Sequence, residues 1–538
     1  MRPGRDALAV GPAIAFIVLF SLVPVALLFA TSLADSGGLP GFYAAVGSPL
    51  NARSIGNSLV QGGLSASIAV AVGYPVGVFF GRYDWPGRSV LRSFLLVPFL
   101  LPSLVVVFGI LDLFGPSGLV SSTVPALSFL GGGLPGIIAA NLVFNVPVVV
   151  LFTATGSESA SPELEETVAT LGGSPRRAYR DVWGPPTLVG ASVGGLLTFL
   201  FSALSFAPPL LLCGPRCYTA EAQVWSLDQN LLQPAVAGDL ALAMVLLFLG
   251  PTILYLLLVR RLRATPGQRS YRARPIGHRP VALALGVLSA LVLVAEFGVM
   301  AAVLVRTAVP VGSGGFGSAW AALFSARTTA QIGVSAGGMA ANTLLFAVGA
   351  TAIAVLLGIV LGYAVVGRPG RAYGLGLVLF LPLLISPVLL AFSLASSWRP
   401  LLGGEPNVWI LVIVSQAILA MPFALQSLQI PLSGLSRGPR EAAQTLGASP
   451  WQAFLETDLP RVRNGVATAG LFAFALGLGE FTATYFLVTP RYATLTVALA
   501  RLPDVRGYAV ADAAAGLLLL LSLAVFAALA FGGRRVEL

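Results

Sequence analysis

EETVATLGGSPRRAYRDVWGP, residues 165–185, returns 275 positions later as REAAQTLGASPWQAFLETDLP, residues 440–460. Without a gap, Glu166, Thr170, Leu171, Gly172, Ser174, Pro175, Ala178 and Pro185 meet Glu441, Thr445, Leu446, Gly447, Ser449, Pro450, Ala453 and Pro460. A polar segment repeated inside a chain that is 57% hydrophobic is poor material for a lipid-facing surface. Each copy reads as a short helix, a break, a second short helix and a stop. Gly172 and Gly447 suit the left-handed residue that ends a helix, because glycine has no Cβ to clash there. Ser174-Pro175 and Ser449-Pro450 suit an N-cap followed by the proline that a first turn tolerates. Pro185 and Pro460 are expected to close the second helix and open the next apolar stretch.

Only 10% of the residues are charged and the mean hydropathy is +0.89, which excludes a soluble globular protein and points to an all-α polytopic membrane protein. Twelve apolar segments are long enough to span, at about 7–33, 57–80, 90–114, 134–156, 187–213, 236–259, 280–305, 340–366, 373–397, 408–428, 462–488 and 509–532. The first is too long, and too poor in a small-residue cleavage site, for a removed signal peptide, and is compatible with an uncleaved signal anchor. All 31 basic residues are arginine. With both termini in the cytoplasm, 23 arginines fall on cytoplasmic segments and seven in external loops: Arg53, Arg216, Arg327, Arg399, Arg491, Arg501 and Arg506. Arg306 stands at the outer end of a span. This asymmetry orients the chain in the cell membrane and places both repeated loops inside. The net charge of +10 is then topological, and no basic stripe interleaved with aromatics suggests nucleic acid.

The absence of lysine removes whole chemistries. A GxxxxGK[ST] phosphate loop and a Schiff-base enzyme both need that amine, so this chain cannot itself carry an ATP site of this type or Schiff-base catalysis. The single histidine, His278, falls in an arginine-rich linker and reads as a solvated residue. Cys213 and Cys217, at the outer end of the fifth span, have a spacing that permits a disulfide or two free thiols, and make a poor metal site without a histidine. No convergent set of nucleophile, base or metal ligands suggests an enzyme.

The duplication extends beyond the loops. Asn57-Ser58-Leu59 answers Asn342-Thr343-Leu344, Pro98 and Pro102 answer Pro382 and Pro387, Pro147 answers Pro422, Phe206 answers Phe481, and Asp239 answers Asp512. Two halves, 1–262 and 281–538, each with six spans and one loop (157–186 and 432–461), flank a linker at 263–280. Six is even, so the halves point the same way as parallel repeats. Prolines inside spans free carbonyls that a neighbour or water must satisfy, and matched kinks suit a pathway as well as packing.

The loops resemble the EAA loop of ABC importer permeases, with Glu, two alanines, a glycine six residues after the Glu and a proline thirteen residues later. The second copy holds Glu441-Ala442-Ala443, Gly447 and Pro460; the first departs, with Thr167-Val168 for the alanines and Gly184 before its proline. The resemblance implies a type I importer whose loops present coupling helices to an ABC ATPase dimer. The coupling residues would be Glu166, Gly172, Ser174, Pro175 and Tyr179, with Glu441, Ala442, Ala443, Gly447, Ser449, Pro450 and Phe454. ATP and Mg would sit on that partner, with no cofactor on this chain, and an external binding protein would deliver the solute. Closure of the ATPase pair would swing the halves between inward- and outward-facing states.

Charges inside spans are costly and therefore functional candidates. Glu480, near the middle of the eleventh span, is opposed in the repeat by Ser205, and with Phe206 and Phe481 it is expected to line the solute pathway, against a purely structural pairing. Glu296 and Asp112 read as structurally paired or interfacial, and Asp239 and Asp512 as helix-start carboxylates. The fused length is similar to that of thiamine and ferric-iron permeases, and the run Asn141 to Pro147, the stretch Phe201 to Phe206 and Thr219-Ala220-Glu221 resemble the thiamine-type first half. Gly479-Glu480-Phe481 is shared with sulfate, molybdate and polyamine permeases, and a phosphonate permease is a further alternative. A buried Glu480 favours a cation. A secondary transporter with internal repeats would leave the paired cytoplasmic loops unexplained.

Overall fold

In hydrocarbon every backbone N–H and C=O must find a partner within its own segment, so apolar runs of this length can only be helices. The computed structural model describes residues 11–264, 274–275, 280–309, 315, 317–365, 385–503 and 507–532. Among them ten helices are long and apolar enough to cross a membrane, or eleven with one bent pair. The only strand pairing among the described residues is a two-residue parallel contact of Tyr83–Asp84 with Arg274–Pro275.

The labelled helices run in chain order. In the first half they are α1 (Gly11–Asp35), α2 (Pro49–Arg82), α3 (Ser103–Phe114), α4 (Gly133–Glu158), α5 (Pro162–Thr170), α6 (Pro175–Ala203), α7 (Ala207–Leu212), α8 (Ala220–Gln229) and α9 (Pro234–Ala264). The second half supplies α10 (Pro280–Ala308), α11 (Ala336–Val365), α12 (Pro387–Ser397), α13 (Val408–Ser433), α14 (Arg437–Thr445), α15 (Trp451–Gly479), α16 (Thr482–Leu487), α17 (Leu495–Arg501) and α18 (Tyr508–Gly532).

The chain forms two compact units. One comprises Ser36–Phe316; the other joins Met1–Asp35 to Gly317–Leu538. Each unit thus takes the first span of the other sequence half. In the unit Ser36–Phe316, α2, α4 and α6 pack around Val76, Phe80, Val146 and Val149. Gly73, Gly77 and Gly81 form one face of α2, where a Cβ would meet Val149, Thr153 and Ala154 at 2.9 Å or less, so the glycines allow the close approach of α4. The seventh span, α10, belongs here through Val299 against Gly109 of α3. In the other unit, Ala13 and Ile17 of α1 pack on Leu357 and Leu361 of α11 and Met421 and Leu425 of α13.

Two expectations change. The third span is not one rod: Arg88–Leu100 and Ser103–Phe114 meet at 95° with Pro102 capping the second piece. Asp239 and Asp512 do not cap α9 and α18, because both lie beyond the first turn and are buried. Pro387 likewise starts α12 instead of kinking a helix, behind Ser386, whose hydroxyl accepts from the Leu389 amide at 3.1 Å. Pro382, residues 373–384 of the expected ninth span and most of the linker, with His278, lie outside the described residues.

Candidate functional site

The first repeated loop is built from local signals. Ser161 caps α5 by accepting from the Leu164 amide at 3.3 Å. The helix ends at Gly172, whose φ of 74° is left-handed, while the next amide, Gly173, bonds the Val168 carbonyl at 2.8 Å. Ser174 then caps α6, accepting from the Arg177 amide at 3.3 Å. The second loop repeats each device: Gly447 has φ 95°, the Ala448 amide bonds Ala443 O at 3.0 Å, and Ser449 accepts from the Gln452 amide at 3.2 Å. Here the Gln452 side-chain Oε1 also accepts from the Ser449 amide at 2.9 Å, completing a capping box that Arg177 cannot form in the first loop.

The prolines do not stop these second helices. Tyr179–Trp183 and Phe454–Asp458 form π-turns, after which the amides of Gly184 and Leu459 bond the Tyr179 and Phe454 carbonyls five residues back. A wide turn leaves room for the rings of Pro185 and Pro460 and needs no N–H from them, so the second helix of each repeated loop continues unbroken into its span.

The exposed rim of each loop carries Glu166 or Glu441, and an apolar tip stands in solvent, Leu171 at 80% and Leu446 at 88% exposure. Beside it the first loop presents Arg176, Arg177 and Arg180, and the second presents Trp451 and Gln452. Ala442 is exposed, while Ala443 is half-buried.

Sequence reasoning missed the anchors beneath. In the first loop Glu165 pairs with Arg82 at the end of α2, both side chains 6% exposed, and the guanidinium lies 4.6 Å from the centre of the Trp183 ring. The hydroxyls of Tyr179 and Tyr74 are 2.8 Å apart. Arg88 and Arg92 hold Glu158, the residue that ends α4, at 2.7 and 2.5 Å. In the second loop Arg440 takes the place of Glu165 and pairs with Asp458 at 3.6 Å. Tyr363 of α11 lies under Arg440 at 5.6 Å and against Phe454 at 5.5 Å. The signal was present in the reversed charge at aligned positions 165 and 440, which implies reversed partners.

Both candidate pathway segments are breaks in their spans. Helix α6 ends at Ala203 and α7 starts at Ala207; α15 ends at Gly479 and α16 starts at Thr482. Ser205 accepts from Gln61 at 2.9 Å, and Phe206 and Phe481 are buried. Glu480 is not a lone carboxylate within a continuous helix. Its oxygens accept from the amides of Ala483 at 2.7 Å and Thr484 at 2.9 Å and from the Thr484 hydroxyl at 2.5 Å, so it caps α16. That role accounts for its charge and removes the inference from Glu480 to a cationic solute. Glu296 lacks the structural pairing expected of it: its carboxylate is buried in α10 with no hydrogen bond among the described residues. Cys213 and Cys217 are joined as a disulfide. No group of three or more His, Cys, Asp or Glu side chains among the described residues could hold a metal.

Residues 73–264 match the family model of the binding-protein-dependent transport system inner membrane component. The chain is 26% identical over 513 residues to a thiamine transport system permease protein of Brucella abortus (strain 2308), covering 89% of this chain and 86% of that one. A thiamine transport system permease protein of Escherichia coli (strain K12) is 25% identical, with 79% and 78% covered. The molybdate/tungstate transport system permease protein of Thermococcus kodakarensis is 28% identical but spans only 46% of this chain while 94% of itself is covered, as a single half would. The resemblance to fused two-half permeases therefore holds over most of the chain.

Proposed function

We propose that this chain, the permease subunit of an ATP-binding-cassette importer in the membrane, carries thiamine. The observation that carries the solute is similarity along nearly the full length of both fused halves to thiamine transport permeases, whereas the molybdate relative matches only half. The two loops, each with its left-handed glycine, Ser-Pro cap and exposed leucine, dock on an ATPase dimer at the cytoplasmic face. ATP and Mg sit on that dimer, since a chain without lysine has no phosphate-loop amine to offer. An external binding protein hands over the solute, and both termini of this chain face the cytoplasm, as the arginine distribution requires. Ser205, Phe206, Glu480 and Phe481, at the breaks, adjoin the route the solute takes.

Reconstitution in lipid vesicles with the partner ATPase and binding protein tests this. Thiamine should accumulate only with ATP and the binding protein, and excess molybdate or chelated ferric iron should not compete. Accumulation of one of those competitors in place of thiamine would overturn the solute assignment while leaving the permease function intact.

A further inference from the structure

The breaks in the fifth and eleventh spans leave the same carbonyl without its helical donor, for two different chemical reasons. In the first half the amide that would bond Ser205 O in a continuing helix belongs to Pro209, which has no N–H. In the second half the amide that would bond Glu480 O is that of Thr484, which the Glu480 carboxylate already takes at 2.9 Å. A carbonyl freed inside a membrane protein must be satisfied from elsewhere. The outer segment that follows each break supplies the donor. Thr219 at the start of α8 donates to Ser205 O at 2.8 Å, and Thr496 in α17 donates to Glu480 O at 3.2 Å. Both threonines are buried.

These outer segments are themselves held by the paired residues that open the second and eighth spans. Asn57 donates to Tyr218 O at 3.1 Å, and Ser58 accepts from the Ala220 amide at 3.0 Å. At the same register, Asn342 donates to Ala493 O at 3.0 Å and Thr343 accepts from the Leu495 amide at 3.0 Å. Each unit thus contains a chain of hydrogen bonds running from the outer end of α2 or α11, through the outer segment, to the broken residue.

We infer that Thr219 and Thr496 are positioning residues of the transport cycle: they make the conformation of each break depend on where the outer segment sits, so displacement of that segment releases the break. The inference rests on the importer function and takes thiamine as its uptake probe. Its test uses the complete complex with Thr219→Val and Thr496→Val, which keep shape and lose the donor, and Thr219→Ser and Thr496→Ser, which keep the donor. Hydrogen exchange over residues 203–212 and 478–487 needs no solute. The Val variants should exchange there roughly threefold to tenfold faster, the range expected for losing the bond to the freed carbonyl, whereas the further bonds lost, from the Ala222 amide to Thr219 and between the Thr494 and Thr496 hydroxyls, lie within the outer segments. Stimulation of ATP hydrolysis by thiamine-loaded binding protein, and thiamine uptake, should fall by a similar factor, with basal hydrolysis unchanged and the Ser variants near the parent. Unaltered exchange and stimulation in the Val variants would overturn the inference, as would Ser variants that behave like Val. If a Val variant is degraded, Ser58→Ala and Thr343→Ala loosen the same segments and should give the same exchange pattern; protected breaks in those variants would overturn it equally. Absence of thiamine uptake by the parent protein would refute the solute assignment alone, and the exchange comparison would still decide the role of the threonines.

Discussion

The two repeated loops share a backbone and differ in what holds it. Both have the left-handed glycine, the serine cap and the π-turn into a span. Beneath them the charges are reversed: Glu165 reaches out to Arg82 of α2, whereas Arg440 pairs with Asp458 inside its own loop and meets α11 through the Tyr363 ring. Backbone geometry tolerates little substitution because only a few residue types fit a positive φ or a cap. An ion pair can be reversed or relocated provided both partners change together, so the anchors diverged where the turns did not.

The largest break in this symmetry should come from the shared devices. Gly172→Pro or Gly447→Pro forces φ to about −65° and removes an amide that donates at 3.0 or 3.1 Å, a change on the order of 3 kcal/mol or more. Either should abolish uptake and co-purification of the ATPase while the protein still inserts. A Cβ at either position meets nothing within 4 Å, so the Ala variants should cost only about 1–2 kcal/mol, from backbone conformation alone. Equal loss in the Ala and Pro variants would show that the surface around the glycine, and not its φ, carries docking.

An intermediate effect should separate the anchors. Arg82→Met leaves Glu165 charged and buried, which costs about 3–5 kcal/mol in measured buried pairs. Arg440→Met should cost less, because the pair is longer, at 3.6 Å, and Asp458 keeps the Thr457 hydroxyl at 3.3 Å as a donor. Thermal unfolding in detergent should rank them in that order. The reverse order would mean that the second loop depends more on its pair than the first.

The smallest effect lies in the caps. Arg177→Gln would give the first loop the capping box that Gln452 gives the second, and would remove a cation from the positive end of a helix, so it should stabilise by about 0.5–1 kcal/mol. Replacing Arg176 and Arg177 together with Gln should nevertheless weaken ATPase docking in detergent free of anionic lipid. Undiminished docking would assign these arginines to lipid headgroups.

The site was legible where its signals are local. Gly172, Ser174, Gly447 and Ser449 act on amides within a turn, so spacing alone located them. Pro185 and Pro460 misled, because a proline ends a helix only when the helix cannot widen, and the π-turn widened it. Glu480 misled for a related reason: a carboxylate inside an apolar run looks unpaired until the helix breaks beside it and exposes amides for it to cap.

By itself the sequence located most of the spans, the duplicated loops and their glycine and serine caps, and ruled out a lysine-dependent phosphate loop on this chain, since apolar length, shift-275 identity, cap spacing and missing lysine are properties of the chain read along its length. Only the tertiary structure decided that Glu165 meets Arg82 at a separation of 83 residues, that the first span of each half joins the other unit, and that Thr219 and Thr496 complete the broken helices. Those partners are chosen by which helices pack, and a buried charge or freed carbonyl states in sequence that it needs a partner without stating which.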